Sequence, residues 1–313
     1  MTKPIHKRDL LVIGNLTLDI IHGVDRIPRL DETGLVLSKN VCFGGRAGNI
    51  AVIAAGLGLD VAIASITGAD FTQSGYRHYL LKRKVDVDKV EILKTEKCAK
   101  TQVFRRPDGK HIYFFQANVQ ERNHGLDLER EELNKFKIVY LTSFDSEKAV
   151  IEIMRKLETL DNVFFGLGEE IYRKSKGFLE LAIGISSYLN LNEKEFETLL
   201  EKIGLSAIDD VFDIGTKLRF VCVSLGDKGS TIYTPEQRYF VPPVPPQEMV
   251  STLGAGDAYV AGLVYGIVNS WDIKECGRLG SVVASFILER EGAQSNLPNW
   301  TNIRKRYSHS FGE

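Results

Sequence analysis

The sequence predicts a three-layer, doubly wound α/β fold around a mostly parallel sheet, and two observations carry that expectation. Short apolar runs bounded by Gly, Asp or Asn recur at residues 10–13, 62–66, 138–141, 163–165, 188–191 and 220–225. Runs of that length and boundary read as buried strands. Between them lie amphipathic stretches at 48–57, 146–157, 193–203 and 257–268. These are long enough to serve as crossover helices between parallel strands. No repeat of fixed period appears.

Two stretches break this rhythm. Residues 23–43 carry Val24, Ile27, Leu35, Leu37 and Val41 without a helical period. Residues 101–116 read as a hairpin, with strands at 101–105 and 111–115 around a Pro107-Asp108-Gly109 turn. Together they are expected to form a small β-sheet apart from the main one, placed to act as a lid over its carboxyl edge. The run from Pro242 to Pro246 reads as a stiff connector, or as a ligand for a proline-binding module.

Composition narrows the functional classes. A chain of 313 residues with 43% apolar and 26% charged residues suits one large α/β domain with an appendage. Lys plus Arg (40) balances Asp plus Glu (41) to a net charge of -1, without the basic excess of a nucleic-acid binder. The short basic runs Lys82-Arg83-Lys84 and Arg304-Lys305-Arg306 read as solvated helix faces. Cys42, Cys98, Cys222 and Cys276 are not spaced as a metal knuckle or a redox pair, so reduced thiols in a cytoplasm are expected. The histidines form no His-Glu-x-x-His. His6, Lys7 and Arg8 precede an apolar stretch too short for a signal peptide, and the uncharged run at 47–59 cannot span a bilayer. A soluble, cytoplasmic protein is expected.

The sharpest motif is Ser251-Thr252-Leu253-Gly254-Ala255-Gly256-Asp257, followed by the small-residue stretch Ala258-Tyr259-Val260-Ala261-Gly262. Small residues at a helix N-terminus let backbone N–H groups approach an anion, and the helix dipole adds to the attraction. A carboxylate repels phosphate, so Asp257 makes sense there as a base that takes a proton from an attacking hydroxyl. It reads equally as an acidic residue in a first helical turn. Gly44-Gly45-Arg46-Ala47-Gly48-Asn49 opens another helix, where paired glycines admit a ligand and Asn49 offers a donor and an acceptor to hydroxyls. A plain strand-to-helix turn is the alternative. Asp19 lies just beyond the first strand, in Gly14-Asn15-Leu16-Thr17-Leu18-Asp19, where α/β proteins place ligands. It can take two hydrogen bonds from a diol or cap a turn. The chain has no Gly-x-x-x-x-Gly-Lys-Ser/Thr, no Gly-x-Gly-x-x-Gly after a strand and no Gly-x-Ser-x-Gly.

Taken in order, these motifs resemble the ribokinase (PfkB) family of carbohydrate and nucleoside kinases. Asn192-Glu193-Lys194-Glu195 is similar to the family's Asn-x-x-Glu, which organises magnesium and phosphate; alone it is equally a helix capping box. Val223-Ser224-Leu225-Gly226-Asp227-Lys228-Gly229 resembles the strand and turn beside the nucleotide, and Gly292-Ala293-Gln294 the C-terminal segment. The resemblance spans the whole chain.

It implies a single ribokinase-like domain over residues 1–313, with a lid from about 15–45 and 95–120. It implies ATP and Mg2+ as cofactors, an acceptor between Asp19, Gly44, Gly45 and Asn49, and ATP across Ser224, Gly226 and Gly229. Magnesium would lie near Asn192 and Glu195 through water, Asp257 would be the base, and the Gly254, Ala255 and Gly256 amides would stabilise the transferring phosphoryl group. A homodimer through the lid is expected, with a small-molecule substrate and neither nucleic acid nor membrane as partner.

Asp70-Phe71 with Ser74-Gly75-Tyr76, the Tyr113-Phe114-Phe115 strand and Gln294–Trp300 resemble archaeal-type nucleoside kinases of broad specificity, which makes a nucleoside 5′-hydroxyl the expected acceptor. A sugar acceptor is the alternative within the family; a sensing module without turnover is the alternative outside it. The chain departs from the family at Ser251, at Leu253 and at Gly166-Leu167-Gly168, where many relatives have Asp-Pro-Gly. The first two put a monovalent-cation requirement in doubt.

Overall fold

The computed structural model describes residues 7–109, 111–121, 126–142 and 146–312. His6 of the N-terminal basic stretch and Lys110 after the hairpin turn lie outside them.

The apolar runs become strands in two sheets. The strands are β1 (Arg8–Ile13), β2 (Thr17–Val24), β3 (Val36–Gly44), β4 (Val61–Gly68), β5 (Val85–Leu93), β6 (Ala99–Arg105) and β7 (His111–Gln116). They continue with β8 (Phe136–Thr142), β9 (Val163–Gly166), β10 (Tyr188–Asn192), β11 (Phe220–Ser224), β12 (Ser230–Tyr233) and β13 (Arg238–Val241). The large sheet has the order β13-β12-β11-β10-β9-β8-β1-β4-β5. It is parallel from β11 to β5 and closes on an antiparallel β12–β13 edge. Strand β1 lies between β4 and β8, so the winding reverses beside it, and α/β proteins bind ligands beyond the carboxyl ends of strands at such a point.

Alternate residues of each strand feed opposite cores. Leu10, Val12, Tyr140 and Phe164 pack with helices Arg46–Gly56, Ala255–Val268 and Ile273–Ile287. Leu11, Ile13, Val139 and Phe165 pack with helices Glu147–Leu157, Lys176–Ile185 and Glu193–Ile203. Covered on both faces, β4 is buried along its whole length.

The small sheet has the order β3-β2-β6-β7, with β2 parallel to β6 and the other pairs antiparallel. The sequence anticipated this second sheet and its hairpin, which turns with Gly109 at φ 81°. The sheet is tied to the large domain by Glu291, which accepts from Asn40 Nδ2 at 2.6 Å and pairs with Arg105 at 2.8 Å.

Helices predicted at 48–57 and 257–268 begin two residues earlier, at Arg46 and Ala255. The reason is backbone chemistry. Gly45 and Gly254 take the N-cap position at φ 86° and 82°, which a side chain disfavours, so each helix starts inside its glycine motif. Strands β5, β12 and β13 and helices Lys176–Ile185, Ile273–Ile287 and Trp300–Phe311 have no counterpart in the sequence reading. No helix among the described residues is long and apolar enough to cross a membrane.

Candidate active site

Two helix N-termini meet at the carboxyl edge of the large sheet. Helix Arg46–Gly56 packs against helix Ala255–Val268; neither glycine N-cap has a side chain to offer, although the Arg46 N–H donates to Asn15 Oδ1 at 3.0 Å. Uncapped first-turn amides are donors in search of an anion.

Hydrogen bonds across this junction join residues far apart in sequence. Asn49 Nδ2 donates to Asp257 Oδ2 at 2.7 Å. The buried Gln294 donates from Nε2 to Asn49 Oδ1 at 2.9 Å and to the Tyr76 hydroxyl at 3.1 Å. Tyr76 in turn donates to the Gly44 carbonyl at 2.7 Å. Because Gln294 gives a proton to Asn49 Oδ1, the Asn49 amide must present its NH2 to Asp257. The amide orientation is therefore set by the chain rather than free.

Arg46 closes the other side of Asp257, with Nε 3.8 Å from Oδ1. Burial disfavours its charge, but Glu195, Tyr140, Asp257 and Glu170 outweigh that, so the guanidinium is held protonated above its ordinary value. Gly168, at φ 83°, leaves room for it: a Cβ there would stand 2.8 Å from Arg46 Nη1.

The small sheet supplies the opposite wall. Asp19 is 4% exposed and accepts from Thr17 Oγ1 at 2.6 Å. Burial raises its pKa, partly offset by hydrogen bonds from Thr17 and Thr101. Gly44 is glycine because of this carboxylate: a Cβ at Gly44 would lie 2.0 Å from Asp19 Oδ2. Cys42 stands opposite Asp19 in the β2–β3 register and near Gly292, whose Cβ would lie 3.2 Å from its sulfur. Burial, Glu291 and Asp19 keep the thiol protonated.

The third group sits on neighbouring strands of the large sheet. Asn192 and Ser224 are paired in register at the ends of β10 and β11. Ser224 Oγ donates to the Leu191 carbonyl at 3.4 Å, and Gly226 and Gly229 follow at φ 63° and 96°. Asn192 and Glu195 form the capping box: Glu195 N–H donates to Asn192 Oδ1 at 2.8 Å and Asn192 N–H to Glu195 Oε2 at 3.0 Å. The buried Glu195 also acts electrostatically on Arg46, which links this group to the Asp257 cluster.

Arg46 and Tyr76 are the residues to which sequence reasoning gave no role. Arg46 stood inside a quoted motif as a cation between two glycine pairs, and that was its signal. Tyr76 stood in the quoted Ser74-Gly75-Tyr76 stretch only as part of a resemblance, because its partners at Gly44 and Gln294 come from distant segments.

A parallel α/β sheet with anion-seeking helix starts, a carboxylate among them and glycine turns beside them fits a phosphoryl-transfer enzyme acting on small molecules. The chain belongs to the pfkB family of carbohydrate kinases, whose model matches residues 7–300, and it is an ATP-dependent phosphotransferase. It is 30% identical over 294 residues to a nucleoside kinase of Methanocaldococcus jannaschii, covering 94% of this chain and 95% of that one. It is 28% identical over 307 residues to a nucleoside kinase of Methanothermobacter thermautotrophicus, covering 97% of each. The crystal structure of Methanocaldococcus jannaschii nucleoside kinase, an archaeal member of the ribokinase family, matches with a TM-score of 0.88 at 27% identity over 97% of this chain and 99% of that one.

Proposed function

We propose that the enzyme transfers the γ-phosphoryl group of ATP to the 5′-hydroxyl of a nucleoside. The observation that carries the proposal is the 2.7 Å bond between Asn49 and Asp257, which joins the acceptor-side glycine motif to the anion loop. The relatives at 30% and 28% identity, both nucleoside kinases, support a nucleoside over a free sugar.

In this mechanism Asp19, with Gly44, Gly45 and Asn49, holds the acceptor's ribose hydroxyls. Asp257 takes the proton of the attacking hydroxyl. The amides at Gly254, Ala255 and Gly256 and the Arg46 guanidinium stabilise charge on the transferring group. Ser224, Gly226 and Gly229 line the nucleotide.

Among the described residues no group of three or more His, Cys, Asp or Glu is placed to hold a metal ion. One buried carboxylate at Glu195 beside Asn192 fits Mg2+ bound through water and carried on phosphates, since Mg2+ keeps much of its hydration in such sites. The chemistry Mg2+ supplies when bound is charge neutralisation on the β- and γ-phosphates. We also propose a homodimer through the small sheet, supported by exposed Leu35, Leu37, Val41 and Phe114, and a cytoplasmic location, supported by four free thiols.

The test is kcat/KM for inosine, guanosine, adenosine and cytidine against ribose and fructose. At least one nucleoside is expected to lead the panel. A pentose or hexose ahead of every nucleoside would overturn the acceptor assignment and leave a sugar kinase.

A further inference from the structure

We infer that the Tyr140 hydroxyl is an additional hydrogen-bond donor to the phosphate chain of the bound nucleoside triphosphate. Tyr140 lies near the carboxyl end of β8, paired with Val12 and Phe164 in the large sheet. Its ring is packed edge-on against Phe164, and the residue is 1% exposed.

The hydroxyl extends over the end of the neighbouring strand β9. A Cβ at Gly166 would stand 2.0 Å from the hydroxyl oxygen, so glycine at 166 is what lets the phenol reach that position. The departure at Gly166, where many relatives have Asp, thereby acquires a steric reason. Gly166 accommodates Tyr140 and Gly168 accommodates Arg46.

The hydroxyl's surroundings are those of the phosphoryl site. Burial keeps its proton bound, and the charges that act on it are Arg46, Asp257 and Glu195. No hydrogen bond satisfies it among the described residues. The hydroxyl is not among the fully enclosed side-chain atoms that lack a partner, so it keeps contact with solvent, and a ligand oxygen replacing that solvent would give it an acceptor. Arg46 is the cation of this cluster, and a hydroxyl donor near it adds a second group that an anionic phosphate oxygen could meet.

The inference rests on placing the phosphate chain at the Arg46–Asp257 cluster, and the experiment separates the two. ATP and inosine are titrated calorimetrically, each alone, into the parent, Tyr140→Phe, Gly166→Ala and Arg46→Gln, with a melting curve for each protein. Tyr140→Phe should weaken ATP binding about 10-fold, the usual scale for a hydrogen bond to a charged group. Inosine affinity should stay within about 2-fold, and the melting temperature should hold, since the hydroxyl has no protein hydrogen bond to lose. Gly166→Ala, which displaces the hydroxyl without deleting it, should also lose ATP affinity.

A Tyr140→Phe protein that binds ATP like the parent, or melts well below it, overturns the assignment. If Arg46→Gln loses ATP affinity while Tyr140→Phe keeps it, the Tyr140 role alone is wrong. Parent-like ATP binding in both removes the phosphate chain from this cluster.

Discussion

Strands β4 and β3 are of similar length and opposite character. Every residue of β4 is buried, whereas β3 is exposed along its first six residues and buried only at Gly44. The large sheet puts its side chains into two cores, and the small sheet offers one face to solvent. The small sheet meets a buried environment where it reaches Asp19 and Gly44. Stability is thus concentrated in one sheet, while the other is freer to serve ligand and partner.

The largest expected effect on stability tests the first half of that contrast. Phe164 is fully buried between the rings of Tyr140, Tyr188 and Phe220. Phe164→Ala should cost about 3–5 kcal/mol, measured by denaturant unfolding. A loss below about 1 kcal/mol would mean that this core relaxes easily.

Asp19 gives an intermediate effect with a defined pH signature. Its folded pKa is raised above the ordinary 3.8 by burial. The folded state therefore holds the proton more tightly than the unfolded one, and stability is lost as pH rises from 3.8 through the folded value. Asp19→Asn removes that cost while keeping an acceptor for Thr17. It should melt above the parent at neutral pH, with the gap closing as pH falls toward 3.8. A variant that melts below the parent at neutral pH would contradict this. Acceptor binding should weaken in the same protein while ATP binding is kept; equal loss of both would make Asp19 structural.

The smallest effect sharpens the second half. Phe114 is 58% exposed on the small sheet. Phe114→Lys should change monomer stability by no more than about 0.5 kcal/mol, yet shift the molar mass seen by light scattering toward the monomer. Unchanged assembly would exclude Phe114 from any interface.

The two regions also differ in what the sequence disclosed. Runs such as 10–13 and 188–191 are short, apolar and sharply bounded, and they became β1 and β10 because fully buried parallel strands leave that signature. Strands β12 and β13 mix polar and apolar residues over only four positions each, so they lack the continuous apolar run that disclosed the equally short β9. The site motifs were legible where glycines make local demands, as at Gly44-Gly45 and Gly254. The chain from Tyr76 through Gln294 and Asn49 to Asp257 was not, because it is assembled by tertiary packing between segments up to 245 residues apart. For Asn192 and Glu195 the sequence allowed both a capping box and a role at magnesium. The capping box is formed, and it leaves the proposed water-mediated role compatible with the same residues.

The central claim is that Asp257 acts as a base inside an anion-binding loop, and Asp257→Asn tests it most directly. The substitution preserves shape, removes the proposed proton acceptor and deletes a negative charge beside the proposed phosphate site. Melting temperature, ATP affinity and kcat are measured on one preparation. The account predicts a normally folded protein that binds ATP as well as the parent or better, with kcat lower by about 10²- to 10⁴-fold. A folded Asp257→Asn enzyme whose kcat stays within a few-fold of the parent would contradict it.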